Sequence, residues 1–145
     1  MARSNVAVPR DDAVAWANEL YANGVDRKDA NVFADAFIET GWCRFANNPR
    51  LEGREAIRTA IAGFFTVMAG VSHETVGTFY DDGDLVLEAN VTYTLHQGGT
   101  VTVPAVTIFR MTAGPDGPAA ESCRIFVDLA PLFSAAVPAP SDAQA

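Results

Sequence analysis

The sequence has few cysteines and few basic residues. Its two cysteines, Cys43 and Cys123, lie far apart and form no Cys-x-x-Cys spacing, so neither a disulfide framework nor a zinc site is indicated. Ten Lys and Arg stand against eighteen Asp and Glu, which gives a net charge of −8. This excess of negative charge argues against electrostatic capture of nucleic acid or of anionic membrane surfaces.

Long apolar runs and common catalytic motifs are also missing. No stretch approaches the roughly eighteen apolar residues that a membrane helix needs, and the amino terminus has no signal-peptide core. There is no phosphate loop, no Gly-x-Ser-x-Gly and no His-Glu-x-x-His. We therefore expect a cytoplasmic protein without a membrane partner, a metal site or a cofactor.

The apolar content is sufficient for one domain. Nine Phe, two Trp and three Tyr occur among 49% hydrophobic residues, and a chain of 145 residues can bury a sizeable core. We expect a single domain over residues 12–133 between flexible segments at residues 1–11 and 134–145. The last segment has too little apolar bulk to pack.

Three helices are predicted in the first half of the chain. Apolar residues recur at three- and four-residue spacing from Asp12 to Gly24, with Asp11 or Asp12 as the cap. Asp29 can cap a second helix that ends before Gly41, and a third follows Gly53.

The second half changes to a period of two, which is typical of strands. We predict a short strand at 42–46 and longer ones at 71–80, 85–96, 100–111 and 121–129, joined mostly as hairpins. Helices followed by hairpins indicate an α+β domain, and a curved sheet over helices leaves a cavity between the layers.

Three segments carry a resemblance to a known family: the loop FANNP, the helix GREAIRTAIAGFFTVM and the terminal CRIFVDL. In this order they resemble the nuclear-transport-factor-2-like (NTF2-like) superfamily, in particular its SnoaL-like branch and limonene epoxide hydrolase. The resemblance implies a cone-shaped fold in which three N-terminal helices pack on a curved, mostly antiparallel sheet and enclose an apolar pocket.

The resemblance also allows the water-activating residues of the hydrolase to be placed on this chain. Its tyrosine falls on Phe45 and its asparagine on Asn47, whereas its arginine and first aspartate fall on Glu88 and Asn90 when the strands are counted without gaps. Its second aspartate falls on Ile125. Because only Asn47 is kept, and because Phe and Ile transfer no protons, epoxide hydrolysis is disfavoured.

The strand LVLEANVTYTLH has an apolar side and a polar side, and two orientations remain open. The polar side can face water, as in an ordinary half-buried strand. The resemblance favours the opposite orientation, with Glu88 as a catalytic acid or base, Asn90 as a substrate contact, and the apolar side covered in a homodimer through the outer face of the sheet.

Other candidates are open to a functional and a structural interpretation. His73, at the entry to the sheet, is a candidate catalytic proton shuttle or a hydrogen-bonded structural residue. Asp128 is a catalytic candidate whose place in the strand also suits the binding of a loop amide. Asn47 can orient a substrate or form a turn. Further substrate-binding candidates are Phe45, Trp16, Tyr21, Phe64, Met68, Thr107 and Val127.

Two functions follow from these observations. The first is a small, cofactor-independent SnoaL-like enzyme that uses acid/base proton transfer for isomerisation, cyclisation or dehydration of an apolar oxygenated molecule such as a polyketide, terpenoid or steroid. The second is a catalytically silent protein that binds such a molecule, which the loss of the hydrolase residues would explain.

Overall fold

The computed structural model describes residues 8–136, so the expected flexible segments fall partly outside it, at residues 1–7 and 137–145. A short 3-10 helix, Val25–Arg27, follows the first helix. The helices are α1 (Arg10–Asn23), α2 (Ala30–Asp35), α3 (Arg54–Phe65) and α4 (Ala130–Ala136). The strands are β1 (Phe37–Phe45), β2 (Leu51–Glu52), β3 (Gly70–Asp81), β4 (Asp84–Thr94), β5 (Thr100–Gly114) and β6 (Gly117–Val127).

The six strands form one sheet in the order β2-β1-β6-β5-β4-β3. β1 and β6 run parallel, and the other neighbouring pairs are antiparallel. The chain therefore has the predicted α+β architecture, with helices packed on a curved, mostly antiparallel sheet. The parallel pair brings the first long strand next to the last.

The predicted helix cap is found at the start of α2 but not at the start of α1. The Asp29 carboxylate accepts the backbone N–H groups of Asn31 and Val32 at 3.0 and 3.1 Å, as expected for a cap. The residue that precedes α1 is Pro9, with no side-chain cap, so Asp11 and Asp12 lie inside the first turn rather than capping it. Negative charge there still favours the helix through its dipole.

The boundary between α2 and β1 lies earlier than predicted. The second helix ends at Asp35, and the strand begins at Phe37 rather than at Trp42. The register of the pairing between β1 and β6 shifts between Phe37 and Trp42. β2 and α4 were not predicted from the sequence, and the segment after β5 is a tight hairpin rather than the predicted long loop.

The core lies between the helices and one face of the sheet. α3 buries Ile57, Ile61 and Phe65 along one side, as its apolar spacing predicts. Opposite them, the apolar side of β4 is buried at Leu85, Leu87, Ala89, Val91, Tyr93 and, just beyond the strand, Leu95. The side of β4 that carries Glu88 therefore forms part of the outer face of the sheet.

Candidate functional site

An apolar cavity of about 60 Å³ lies between the helices and the concave face of the sheet. Every helix from α1 to α3 contributes to its wall, as do all long strands. The residues that line this inner cavity are Tyr21, Val25, Phe33, Phe45, Ile61, Phe64, Phe65, Val71, His73, Val91, Tyr93, Ala105, Thr107, Ile125 and Val127.

His73 brings an ionisable group to the inner cavity, and Asp26 holds it in place. Asp26 Oδ1 lies 2.7 Å from His73 Nδ1, and Asp26 Oδ2 accepts the backbone N–H of His73 at 3.4 Å. Both side chains are largely buried, with 15% and 26% of their surfaces exposed. The carboxylate assigns the ring proton to Nδ1, which leaves Nε2 as the basic nitrogen of the neutral ring.

Tyr21 places a phenol beside this pair. Its ring centroid is 4.6 Å from that of His73, at an angle of 53°. Burial raises the pKa of Tyr21 well above its ordinary value, and the nearby thiol of Cys123 raises it further, while a hydrogen bond with Thr107 lowers it in part. Tyr21 is therefore a neutral hydrogen-bonding group at physiological pH, and Thr107 offers a second hydroxyl at the same wall.

The two cysteines lie behind Tyr21 and outside the cavity lining. They are opposite each other in the parallel pair β1–β6, fully buried, and both thiols are free. Burial and a hydrogen bond with Cys43 raise the pKa of the Cys123 thiol. The Cys123 thiol is therefore neutral at physiological pH, and the two buried cysteines are packing residues behind the site.

Six of the predicted site residues meet at the inner cavity. They come from α1, α3 and four strands, which the sequence separates widely. They are Tyr21, Phe45, Phe64, His73, Thr107 and Val127. The structure places these side chains at the cavity wall, and their roles in binding or catalysis stay predictions.

Glu88 and Asn90 do not face the cavity, and the expected inward orientation of this strand is wrong. Glu88 is exposed, and Asn90 Nδ2 donates to Glu74 Oε1 at 3.3 Å on the outer face. The inward positions beside them are Ala89 and Val91. The hydrolase residues were placed on this strand by counting without gaps. Because side chains alternate between the two faces of a strand, an error of one residue in that count places each side chain on the wrong face.

Asp128 and Asn47 also lie away from the inner cavity. Asp128 Oδ1 accepts the backbone N–H of Ala130 at 3.0 Å, so the carboxylate caps the start of α4, in agreement with the structural alternative. Asn47 is exposed in the loop after β1. Neither side chain is placed to act on a molecule held in the cavity.

Trp16 and Met68 belong to the core rather than to the cavity wall. The Trp16 ring packs edge-on against Phe109 with 5.0 Å between centroids. Met68 is fully buried, and its carbonyl accepts Lys28 Nζ at 2.7 Å. Their apolar spacing predicted burial correctly but could not distinguish a cavity wall from solid core.

The sequence analysis missed Asp26, because the carboxylate and His73 are far apart in the chain. Asp26 lies in the short 3-10 helix after α1, where an acidic residue in a turn normally meets water. The available signal was weak: an acidic residue in the 3-10 helix and a histidine in β3, two elements that pack against each other in the fold.

Residues 8–136 contain no group of three or more His, Cys, Asp or Glu side chains that could hold a metal ion. In the same part of the chain, no helix combines the length and apolar character required to cross a membrane.

The comparisons with known proteins agree with this fold. A model of the SnoaL-like domain family matches residues 17–117. A candidate SnoaL-like polyketide cyclase from Jannaschia sp. CCS1 superposes with a TM-score of 0.71 at 20% identity, covering 96% of this chain and 99% of that one. No curated protein matches the sequence.

Two other solved structures have the same fold. TerC, crystallised with polyporic acid, gives a TM-score of 0.69 at 15% identity and covers 85% of this chain and 96% of its own. A candidate dehydratase of the NTF2-like family from Streptomyces avermitilis gives a TM-score of 0.69 at 13% sequence identity. The superposition covers 83% of this chain and 97% of that one. At such identities the similarity concerns the fold, so the reaction has to be argued from the residues of this chain.

Proposed function

The chain belongs to the family of SnoaL-like domains, and on that premise we propose that it is a small enzyme that moves a proton on an apolar, oxygenated small molecule, using His73 as the acid/base group. The observation that carries the proposal is the 2.7 Å contact between His73 Nδ1 and Asp26 Oδ1 at the wall of an apolar cavity. Structural relatives that include a candidate cyclase and a protein crystallised with polyporic acid support this class of substrate.

The geometry suits removal of a proton from a carbon next to a carbonyl group. His73 Nε2 accepts that proton, and the carboxylate of Asp26 stabilises the imidazolium that forms. The Tyr21 hydroxyl, which accepts a hydrogen bond from Thr107, can donate its own proton to the carbonyl oxygen as that oxygen gains negative charge. Return of the proton to another carbon gives isomerisation, attack of the enolate on a second carbonyl gives cyclisation, and departure of a hydroxyl gives dehydration.

Glu88 and Asp128 have no part in this proposal. Both are exposed, and Asp128 is engaged with the start of α4. The chemistry that we expected from Glu88 is instead assigned to His73, which the sequence analysis had as its second candidate. Epoxide hydrolysis stays disfavoured, because the inward positions of β4 carry Ala89 and Val91 and that of β6 carries Ile125.

A general proton-transfer assay tests the proposal before a natural substrate is known. We suggest incubating the protein in D2O with a panel of cyclic ketones and aryl ketones, whose spontaneous exchange is slow at neutral pH, and following deuterium incorporation by NMR. His73→Asn keeps a donor toward Asp26 but lacks the basic nitrogen, so exchange should fall by about 10²–10⁴-fold. Asp26→Asn should reduce exchange less and change its pH profile.

Glu88→Gln is the matched control, because Glu88 is an exposed carboxylate on the same sheet. It should exchange like the unaltered protein. Full activity in His73→Asn, or a large loss in Glu88→Gln, would contradict the assignment.

The second candidate is a binding protein without turnover. The mostly apolar lining and the placement of Glu88, Asn90 and Asp128 outside the cavity favour it. In that case ketones bind to the unaltered protein and to His73→Asn with the same affinity, and neither protein catalyses exchange.

We also propose a cytoplasmic homodimer formed through the outer face of the sheet. The original reason for expecting this dimer was wrong, because the apolar side of β4 covers the inner cavity. A different set of side chains supports it: Phe79 and Phe126 are 59% and 52% exposed on the outer face, with Val86, Val106 and Ile108 between them on the intervening strands.

A further inference from the structure

A second depression adjoins the inner cavity. This outer groove has a volume of about 300 Å³ and is lined by Phe45, Asn48, Pro49, Arg50, Leu51, Ala60, Ile61 and Phe64. Three of these side chains, Phe45, Ile61 and Phe64, also line the inner cavity. They therefore form a wall that has one side in each space.

The inner cavity is too small for a ring compound. A water molecule occupies about 30 Å³ of the liquid, and an apolar cavity of about 150 Å³ is of the size that holds benzene. At about 60 Å³, the inner cavity has room for a few atoms beside His73. A cyclic substrate needs additional volume, and the nearest volume lies beyond the shared wall.

Two aromatic rings make up most of that wall. Phe45 and Phe64 meet edge to face, with 4.7 Å between centroids and an angle of 84°. Both side chains are only partly buried. Phe64 is held on its other sides by looser contacts, at 6.1 Å from the ring of Tyr93 and 6.5 Å from that of Phe133.

The backbone on both sides of Phe45 is held in place by hydrogen bonds. Phe45 is the last residue of β1 and pairs with Ile125, and Ala46 follows it in a left-handed conformation with φ of 53°. Asn48 Nδ2 donates to the carbonyl of Phe45 at 2.9 Å. The backbone is thus anchored, so rotation of the side chain, rather than movement of the strand, is the way to open the wall.

The outer groove has a polar rim above an apolar floor. The Arg50 guanidinium stacks 3.7 Å from the ring centroid of Trp42, and its Nε donates to Glu52 at 3.0 Å. Ala60, Ile61 and Leu51 supply the apolar floor. A ligand part that extends into this groove would be apolar along its length and would end in a hydrogen-bond acceptor near Arg50.

We propose that the inner cavity and the outer groove are two halves of one ligand site, and that Phe45 and Phe64 are a movable partition between them. The ligand is a molecule of two parts: a carbonyl-bearing ring that reaches His73 once the partition has opened, and an apolar extension with a polar end in the outer groove. This rests on the proposed function, which places the reacting part of the substrate at His73.

The test uses N-phenyl-1-naphthylamine, a neutral fluorescent probe with two aromatic parts, together with 2-naphthol, a compact one. Binding is followed by fluorescence and by chemical shifts of the His73 ring and of the methyl groups of Leu51 and Ala60. In the unaltered protein, the longer probe should shift all three residues at once.

Variants address the partition directly. Phe64→Ala should tighten binding of the longer probe or speed its association by at least tenfold, because the two spaces become continuous. Phe133→Ala is the matched control, since Phe133 contacts Phe64 but lines neither space. Phe64→Leu, which keeps apolar bulk, should lie between Phe64→Ala and the unaltered protein and serves if Phe64→Ala does not fold.

Shifts confined to Leu51 and Ala60 in both the unaltered protein and Phe64→Leu would overturn the proposal, as would an equal effect of Phe64→Ala and Phe133→Ala. These readouts report binding, whereas the proposed function depends on proton exchange in His73→Asn. A failure of one is therefore distinguishable from a failure of the other.

Discussion

Four polar side chains face an otherwise apolar cavity: His73, Tyr21, Tyr93 and Thr107. His73 is oriented by the carboxylate of Asp26, so its position follows from a specific contact. Tyr21 and Tyr93 are phenols whose pKa values are raised by burial, which keeps them protonated. The cavity therefore combines the imidazole of His73 with phenol groups that keep their protons at neutral pH and can donate them in hydrogen bonds.

Because the Tyr93 phenol is buried, we expect the free energy of unfolding to fall at alkaline pH. Burial raises its pKa from 10 to about 12, so the folded state holds the proton more tightly than the unfolded state. The stabilisation is complete well below pH 10 and is lost as the pH rises toward 12, with about 1.4 kcal/mol of unfolding free energy lost by pH 11. Urea unfolding of the unaltered protein and of Tyr93→Phe between pH 8 and 11 measures this.

The Tyr93→Phe protein should lose less stability than the unaltered protein above pH 10, because it lacks this phenol. Parallel curves for the two proteins over the whole range would show that Tyr93 ionises as easily in the folded state as in the unfolded one.

At the scale of elements, the chain positions the cavity through short segments with specific caps. α2 has only six residues, yet it supplies Phe33 to the cavity wall, and the Asp29 carboxylate holds its first turn. A helix this short is unstable alone, so its cap and its packing determine whether it forms. The strength of the cap therefore influences the shape of the site.

Asp29→Ala should lower the free energy of unfolding by about 1 kcal/mol, because two backbone N–H groups lose their acceptor. Urea denaturation measures the change. Asp12→Ala is the matched control: it removes an acidic residue from the first turn of α1, which has no side-chain cap, and should cost only a few tenths of a kcal/mol. If both variants lost the same free energy of unfolding, the effect would come from removal of a negative charge near a helix start rather than from loss of the cap.

The sequence predicted the presence of the main helices and strands better than the residues at which they begin and end. The turns before β4 and β5 and the alternation within β4 were clear in the sequence, and each was found where it was predicted. Phe37, in contrast, continues the helical spacing of Phe33, so it was assigned to α2 although it begins β1. Competition between helix and strand at such a residue is decided by tertiary packing, which periodicity does not contain.

The candidate site was predictable only in part, for a related reason. Alternation separates the two sides of β4, but the identity of the side that meets the helices depends on the register with β5 across the sheet. Likewise, the contact between Asp26 and His73 joins residues that only the folded chain brings together. Apolar wall residues such as Phe45 and Phe64 were identified because their burial follows from their own chemistry.

At the scale of the whole molecule, the two faces of the sheet have different roles. The concave face builds the cavity, and the outer face carries an apolar patch that includes Phe79 and Phe126. On β5, Val106 lies opposite Phe126, and Glu88 of β4 lies opposite Val106. Glu88 thus occupies the middle of the proposed dimer interface, a place where a carboxylate favours partner choice and orientation rather than catalysis.

Phe126→Glu should convert the proposed dimer to a monomer by placing a charge in an apolar contact. We expect its dissociation constant to rise at least about 30-fold, which light scattering or sedimentation equilibrium can measure. Val32→Glu is the control, because Val32 is 38% exposed on α2, away from the sheet. A monomeric unaltered protein at about 100 μM would contradict this prediction.

The parallel pairing of β1 with β6 has a consequence for protein synthesis. Phe45 and Ile125, which are partners in that pair, both line the cavity, although the ribosome makes them far apart in time. The hairpins from β3 to β6 can form as they emerge, whereas β1 has only the two-residue β2 beside it in the sheet until β6 is made. The nascent chain is therefore exposed to aggregation until β6 has left the exit tunnel, and the binding site is completed only then.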